Sequence, residues 1–451
     1  MKLGVVILGN GSWLSVAKTK SGIHRLVSLL VATVILTLML GIILSQAQPI
    51  FAANPEIVHF TYIDHGANWR EYLTAMAERF KSETGINVKF VVSGNANAWR
   101  EKFTSMVVGG NPPDVTDGHP ALAGPFIRKG FFEDLRPYVT RDKVPINTMP
   151  PAAIVGCMAP DGSMWSLPVS VYPVVTCFNA DMFAEAGLLN PRELGENWTW
   201  DTFAQSARRL TADLNGDGVT DRYGTFFLAD RWEMQVQQAG GMLYDRFILP
   251  SRSLFNTPEV LKAVKWLHQL LVVDRVEALF DPVYSIWNGR AAMTLGFAAG
   301  GILENYRRAG ATFKWGVALQ PKGPASRAAR VNPDGFQIVA TSKNKEAAWK
   351  WVRYLVADVN RQLEMSKFTG RMPSLKDALL QYPKVAPGLP DNWMVFYETA
   401  FDPAGYPAYA VDSLELDNLV KSTMVKVWRG ELAPEVALQQ IHEQATKLLS
   451  Q

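Results

Sequence analysis

An acidic segment near the middle of the chain carries the residue types that bind a hard cation. Four oxygen-bearing side chains occupy positions 1, 3, 5 and 9 of this segment: Asp213, Asn215, Asp217 and Asp221. Oxygen ligands at alternate positions of a tight turn can converge on calcium. Position 12 is Gly224, so the bidentate Glu of an EF-hand is missing. The segment therefore predicts either a weak structural Ca²⁺ site or an Asx-rich turn that caps its own backbone.

Motifs of common catalytic sites are absent from the sequence. It contains no GxxxxGK[ST], no GxGxxG after a predicted strand, no HExxH and no GxSxG. The histidines show no ligand spacing, and we expect no required cofactor. A pair of Asp or Glu residues for glycoside hydrolysis stays open, because such a pair meets only in the folded chain.

Charge and composition indicate a globular protein with no nucleic-acid partner. The 451 residues are 48% hydrophobic and carry 45 Lys and Arg against 42 Asp and Glu. Four of the basic residues precede position 54, where no acidic residue occurs, so the remainder is close to neutral. Nucleic-acid binding needs a basic face, which this remainder lacks. The length predicts two lobes or domains.

The first 53 residues are typical of an export segment. Residues 26–44 are uncharged and apolar, basic residues precede them, and the small-residue sequence Ser45-Gln46-Ala47 follows. This pattern predicts a cleaved signal peptide, and the alternative is a retained membrane anchor. No cysteine lies near residue 45, which excludes a lipid anchor there. The two cysteines, Cys157 and Cys177, predict either one disulfide or two buried thiols.

Hydrophobic periodicity predicts an α/β fold. Residues 57–62 and 88–92 are typical of strands, and the apolar residues between Trp69 and Phe80 form one helical stripe. A strand, a helix and a strand within 36 residues predict a right-handed βαβ unit and a parallel sheet. Strands and helices alternate to the C-terminus, with further strands expected at 171–178, 291–297 and 336–341.

The chain resembles the extracellular solute-binding proteins of ABC importers, family 1, the carbohydrate-binding group that includes maltose-binding protein. The similarity runs from about residue 56 to the C-terminus and is carried by short segments in the family's order. The segments that carry it are ETGINV (83–88), GNPPDV (110–115), FNADMF (178–183), TWDTF (199–203), DLNGDGVTDRYG (213–224), GRAAM (289–293), WGV (315–317), PKGP (321–324) and SKNKEAAW (342–349).

This resemblance implies two α/β lobes joined by crossing segments, which we place near 168–171, 293–296 and 333–336. One lobe would hold residues 54–168 and 295–333, and the other 170–293 and 336–451. The family binds a sugar or polyol in the interlobe cleft and delivers it to the membrane subunits of an ABC importer. We therefore expect a monomeric, exported protein, in the periplasm or at the outer face of the cytoplasmic membrane, that catalyses no reaction.

A sugar site needs aromatic rings against the C–H faces and polar groups against the hydroxyls. We select residues that follow strands, lie at crossings or lie where the resemblance places a cleft loop. The candidates are Asp64, Trp69, Asp117, His119, Tyr172, Trp232, Gln235, Phe297, Asp334 and Arg371. Competing interpretations are a core position for Trp69, helix caps for Asp64 and Asp117, and a surface ion pair for Arg371.

Two alternatives to a binding protein follow from the same residues. One is a secreted hydrolase that uses paired carboxylates on the same sugars. The other is a membrane-retained interaction protein that uses the lobes as a scaffold.

Overall fold

The computed structural model describes residues 31–35, 37, 55–62 and 67–450, and the chain forms two compact units, Met1–Asn54 and Pro55–Gln451. In the first unit, residues 31–35 and 37 are helical. The rest of the predicted export segment lies outside the described residues. Within the described part of the chain, no helix combines the length and the apolar character needed to cross a bilayer.

The second unit is a mixed α/β structure. Its strands are β1 (Glu56–Tyr62), β2 (Asn87–Ser93), β3 (Val115–Gly118), β4 (Leu167–Asn179), β5 (Tyr223–Thr225), β6 (Ala291–Ala298), β7 (Trp315–Ala318), β8 (Val331–Ile338) and β9 (Met372–Pro373). Its helices up to β6 are α1 (Ala67–Thr84), α2 (Ala96–Val108), α3 (Pro120–Arg128), α4 (Arg136–Arg141), α5 (Pro151–Gly156), α6 (Ala180–Glu185), α7 (Pro191–Leu194), α8 (Trp200–Leu210), α9 (Trp232–Gln238) and α10 (Pro258–His268). The later helices are α11 (Ala299–Ala309), α12 (Lys345–Val356), α13 (Val359–Thr369), α14 (Lys376–Leu379), α15 (Met394–Phe401), α16 (Leu414–Trp428) and α17 (Pro434–Leu449).

The predicted βαβ unit is present as β1, α1 and β2, and β1 is parallel to both β2 and β3. The sheet order is β2-β1-β3-β8-β4-β6-β5, with β7 and β9 also paired to β4. Strand β8 is antiparallel to β3 and β4, so the sheet is mixed rather than parallel throughout.

Strand β4 links the two halves of the sheet. Its residues 167–173 pair with β8 and β9. Its residues 174–179 pair with β6 and β7. Because one continuous strand belongs to both halves, the two-lobed α/β fold expected from the sequence is built around a shared backbone segment.

Each half of the sheet has its own hydrophobic core. The core beside β1 and β3 contains Leu73, Phe80 and Trp351, and the core beside β5 and β6 contains Phe203, Val264 and Ile441. Aromatic and branched residues that recur every three or four positions form these helix faces, and their burial supplies most of the stabilisation.

Two segments pack against a different half of the sheet from the one that the predicted lobe boundaries gave them. Helices α12 and α13 pack their apolar faces into the core beside β1, although residues 336–451 were assigned to the C-terminal lobe. Strand β7 and the last residues of β6, Phe297 and Ala298, pair with residues 174–179, although 295–333 were assigned to the N-terminal lobe. In both cases the buried face packs against residues that are distant in the sequence. Local sequence patterns do not predict such contacts.

The two cysteines are free and buried, so the alternative of two buried thiols describes this structure. Burial raises the pKa of both thiols. A buried free Cys behaves as a small apolar side chain, and both residues pack in that way.

Candidate functional site

Asp117 lies at the centre of a group of polar and aromatic side chains, which we call the first wall of the site. It lies in β3, between β1 and β8, and is 2% exposed. Its Oδ2 accepts hydrogen bonds from Thr61 Oγ1 at 2.8 Å and from Trp69 Nε1 at 2.9 Å, and His59 Nε2 lies 3.6 Å away. These donors compensate the buried negative charge, so the carboxylate is held in one orientation.

The Trp69 ring is both a core side chain and a neighbour of the site. It stacks on Phe336, with ring centroids 5.9 Å apart, and also contacts Tyr72. The guanidinium carbon of Arg371 lies 5.0 Å from the Trp69 ring centroid. The core interpretation of Trp69 therefore describes this structure, in which its indole N–H also bonds Asp117, and a ligand contact of Trp69 stays a prediction.

Three predicted residues meet at β4, β8 and β9. The Oδ2 atom of Asp334 accepts hydrogen bonds from Tyr172 OH at 2.8 Å and from Arg371 Nη1 at 2.5 Å. In the register Ser170 opposes Asp334 and Tyr172 opposes Asn332, so alternation along both strands places the Tyr172 and Asp334 side chains on one face. The Arg371 and Asp334 side chains are 12% and 7% exposed, so their ion pair is buried.

His119 lies beside this ion pair, at the N-cap position of α3. Burial lowers its pKa, the nearby Arg330 and Arg371 lower it further, and Asp334 opposes the shift. The imidazole is therefore neutral at pH 7. Neutral His119 adds hydrogen-bonding capacity to the site without adding charge.

A second group of side chains consists of aromatic rings, and we call it the second or aromatic wall. Its members are Phe226, Phe227, Trp287 and Phe297. Phe297, at the end of β6, lies 5.3 Å from the Phe227 ring and 5.3 Å from the Trp287 ring, and it stacks on Phe226 at 6.2 Å. Strands β5 and β6 are parallel, so their carboxyl ends lie at the same edge of the sheet. Phe226 and Phe227 follow β5 directly, and this strand-end position is the signal that could have identified them.

Arg330 lies near His119 of the first wall and near Arg231. Its Nη1 donates to Glu233 Oε1 at 3.0 Å. Burial lowers the pKa of both His119 and Arg231, and the positive charge of Arg330 lowers both further. The Nε atoms of Arg330 and Arg231 and the hydroxyl of Tyr406 are buried and find no hydrogen-bond partner among the described residues. Buried donors of this kind favour a ligand or water molecule that accepts hydrogen bonds.

Trp232 lies between Arg231 and Glu233 in the sequence, but its side chain is a core residue. Its ring packs against Phe255 and Trp428 in the core beside β5 and β6. Gln235 is fully buried one turn further along α9, and neither of its amide atoms has a partner among the described residues. Asp64 lies outside the described residues. The structure thus brings together Trp69, Asp117, His119, Tyr172, Asp334 and Arg371, and it places Phe297 on the aromatic wall.

The acidic loop bonds to its own backbone. Asp213 accepts from the N–H groups of Asn215, Gly216 and Gly218, and Asp217 accepts from Val219. Among residues 55–62 and 67–450, no three acidic, His or Cys side chains converge closely enough to hold a metal ion. A Cβ at Gly224 would lie 2.0 Å from the Ala207 carbonyl oxygen, which explains why position 12 holds no Glu. Calcium binding stays a prediction.

The sequence matches the family described as bacterial extracellular solute-binding protein over residues 66–362. A binding protein of Brucella abortus is 23% identical over 425 residues, which cover 88% of this chain and 94% of that protein.

Solved structures show the same fold. An ABC substrate-binding protein of Listeria monocytogenes in complex with cycloalternan superposes with a TM-score of 0.72 at 22% identity, covering 88% of this chain and 99% of that chain. A solute-binding protein of Thermotoga lettingae bound with α-D-tagatose gives a TM-score of 0.70 at 22% identity, covering 88% and 100%. These similarities confirm a two-lobed α/β architecture for residues 55–451.

Proposed function

Because the chain belongs to the family of bacterial extracellular solute-binding proteins, we propose that it binds an uncharged sugar or polyol between its two walls and releases it unchanged to the membrane subunits of an ABC importer. The observation that carries the proposal is that hydrogen-bonding side chains gather around Asp117 and Asp334, while aromatic rings gather at the carboxyl ends of β5 and β6. Hydroxyls of a sugar need such groups, and its C–H faces need rings.

The charge arrangement supports a neutral ligand. Three arginines of the site have anionic partners, with Arg371 bound to Asp334, Arg330 to Glu233 and Arg231 to Asp230. Asp117 is compensated by hydrogen-bond donors and His119 is neutral. A phosphate or carboxylate on the ligand would add an unbalanced charge to a partly desolvated site, at a cost of several kcal/mol by order of magnitude.

The same contacts argue against the hydrolase alternative. A glycosidase needs one carboxyl group that is protonated and free to reach the glycosidic oxygen. The Oδ2 atoms of Asp117 and Asp334 instead each accept hydrogen bonds from two neighbouring side chains. This arrangement suits two carboxylates that hold neighbouring side chains in place.

Titration calorimetry against a panel of neutral sugars, polyols, sugar phosphates and uronic acids tests the proposal. We expect one neutral compound to bind with no change in its mass after incubation. Arg371→Met should weaken that binding, whereas Lys421→Met, on an exposed face of α16, serves as the matched control. Binding of only the charged compounds, or formation of a product, would contradict the proposal.

Export and assembly complete the proposed role. The family is extracellular, and the apolar segment at residues 26–44 fits a signal peptide or an anchor. We propose that the protein acts as a monomer in the periplasm or at the outer face of the membrane. Mass spectrometry of the mature N-terminus distinguishes the two forms, because a start between residues 46 and 54 removes the anchor.

A further inference from the structure

A buried carboxyl group lies directly behind the aromatic wall. Glu277 is 7% exposed, and its Oε2 accepts hydrogen bonds from the backbone N–H of Leu228 at 2.8 Å and from Thr225 Oγ1 at 3.2 Å. The backbone N–H of Thr225 donates to the carbonyl oxygen of Val276 at 3.0 Å. Val276 and Glu277 therefore hold Thr225 and Leu228, the first and fourth residues of the segment 225–231.

This turn, residues 225–231, presents side chains to the site. Phe227 has a φ of +68°, a backbone conformation that bulky L-residues rarely adopt. Its ring contacts Phe297, and the guanidinium carbon of Arg231 lies 5.8 Å from the Phe227 ring centroid. Such strain persists only where surrounding contacts impose it, and it concentrates at ligand sites.

The surroundings of Glu277 determine the pKa of its carboxyl group. Burial, together with a smaller effect of the negative charge of Asp230, raises its pKa to about 7. Hydrogen bonds from Leu228, Thr225 and the backbone N–H of Phe227 act in the opposite direction, since they favour the carboxylate. Because burial outweighs these bonds, the folded protein favours the protonated carboxyl group more than the unfolded chain does.

We propose that Glu277 is a positioning residue of the binding site, whose carboxyl group holds the 225–231 turn so that the Phe227 ring and the Arg231 guanidinium face the ligand. The inference rests on the proposed function, because it assigns the turn a role in binding the same solute.

Hydrogen–deuterium exchange in the absence of any sugar tests the structural part. Glu277→Gln keeps an acceptor oxygen and the same shape, whereas Glu277→Leu removes the acceptor. We expect the amides of residues 225–231 to exchange at least about tenfold faster in Glu277→Leu and to stay protected in Glu277→Gln. Equal exchange in wild type and Glu277→Leu would overturn the proposal. Should Glu277→Leu fail to fold, Thr225→Val removes one of the same bonds and takes its place.

A pH series adds a second measurement, the pH dependence of amide protection in the turn. A substitution that only destabilises the fold would not change this dependence. After correction for intrinsic exchange, protection of the turn should fall between about pH 6 and pH 8 in wild type, because ionisation of a carboxyl group whose folded-state pKa is raised favours the open form, and it should stay flat in Glu277→Gln. A flat profile in wild type would contradict a role for the Glu277 carboxylate.

Calorimetry with the best neutral sugar from the panel tests the binding part. Glu277→Leu and Phe227→Ala should each weaken binding by about tenfold or more, and Glu277→Gln by less than about threefold. If wild type binds no sugar, the proposed function fails while the exchange experiment still reports on Glu277. If wild type binds and Glu277→Leu binds equally well, the positioning role alone is wrong.

Discussion

At the residue scale, Asp334 binds two side chains through one carboxylate oxygen. It bonds the Tyr172 hydroxyl and the Arg371 guanidinium, and the ion pair is almost fully shielded from water. Removing one member of a buried pair costs more than removing both, because a lone charge stays desolvated.

We therefore expect Asp334→Ala to lower the free energy of unfolding by about 3 kcal/mol or more. The double variant Asp334→Ala with Arg371→Met should recover part of this loss, since no unpaired cation remains. Urea unfolding followed by circular dichroism measures both. A double variant as unstable as the single one would show that the guanidinium is solvated after all.

Glu277 makes stability depend on pH. Its folded-state pKa of about 7 exceeds the ordinary value of 4.5, so the folded protein binds more protons than the unfolded chain between these values. Stability from this group is complete below the unfolded pKa and declines as pH rises towards the folded pKa. The full change amounts to about 3 kcal/mol.

Relative to Glu277→Gln, wild type should thus lose about 3 kcal/mol of unfolding free energy between about pH 4 and pH 8. Urea titrations of both proteins across this range measure the difference. A constant difference between the two proteins would mean that the Glu277 carboxyl titrates normally.

Part of the site could be predicted because its residues lie at strand ends and crossings. Tyr172 and Asp334 follow from strand alternation once two strands are paired, and Asp117 lies in the strand after the PPD segment. Arg330 and Glu233 could not be predicted together, since 97 residues separate them and neither belongs to a periodic pattern. Trp232 was selected as a loop aromatic, yet its ring fills a core position that only the packed fold defines.

At the element scale, α8 begins where the TWDTF segment predicts. Thr199 accepts from the Thr202 N–H, and the Thr202 hydroxyl accepts from the Thr199 N–H, which forms a capping box. We expect Thr199→Ala to lower the free energy of unfolding by about 1 kcal/mol, because one helix N–H loses its acceptor. Thr199→Ser keeps the hydroxyl and should stay within about 0.5 kcal/mol of wild type. A loss of equal size in both variants would assign the effect to the methyl group instead.

Strand β8 shows where local sequence was insufficient. Residues 336–341 were expected to form it, but the strand covers Val331–Ile338. Pro333 and Gly335 indicate a turn by their local preferences, yet they pair with Val171 and Pro168 of β4. Pairing with a neighbouring strand overrides local propensity here, and it also carries Asp334 into the site.

At the scale of the whole molecule, β4 couples the two hydrophobic cores. Because its residues 167–173 and 174–179 belong to different halves of the sheet, neither half can unfold without disrupting a strand of the other. We expect a single unfolding transition in urea, with coincident midpoints for circular dichroism and tryptophan fluorescence. Two separated midpoints would show that the halves are independent.

Binding between the walls should stabilise the whole second unit. With the ligand at about one hundred times its dissociation constant, the free energy of unfolding should rise by about 2.7 kcal/mol. Thermal unfolding with and without the sugar measures this gain, and Arg371→Met should abolish it at the same sugar concentration. A gain that persists unchanged in Arg371→Met would place the sugar elsewhere.

The two thiols have a practical consequence. Since Cys157 and Cys177 are buried and their pKa values are raised, neither offers a reactive thiolate to a maleimide. A cysteine introduced at an exposed position such as Val108 would be the preferred attachment point for a dye, with both native residues left in place. Fluorescence of a dye attached in this way could then be followed while the solute is added, with no need to replace the native cysteines.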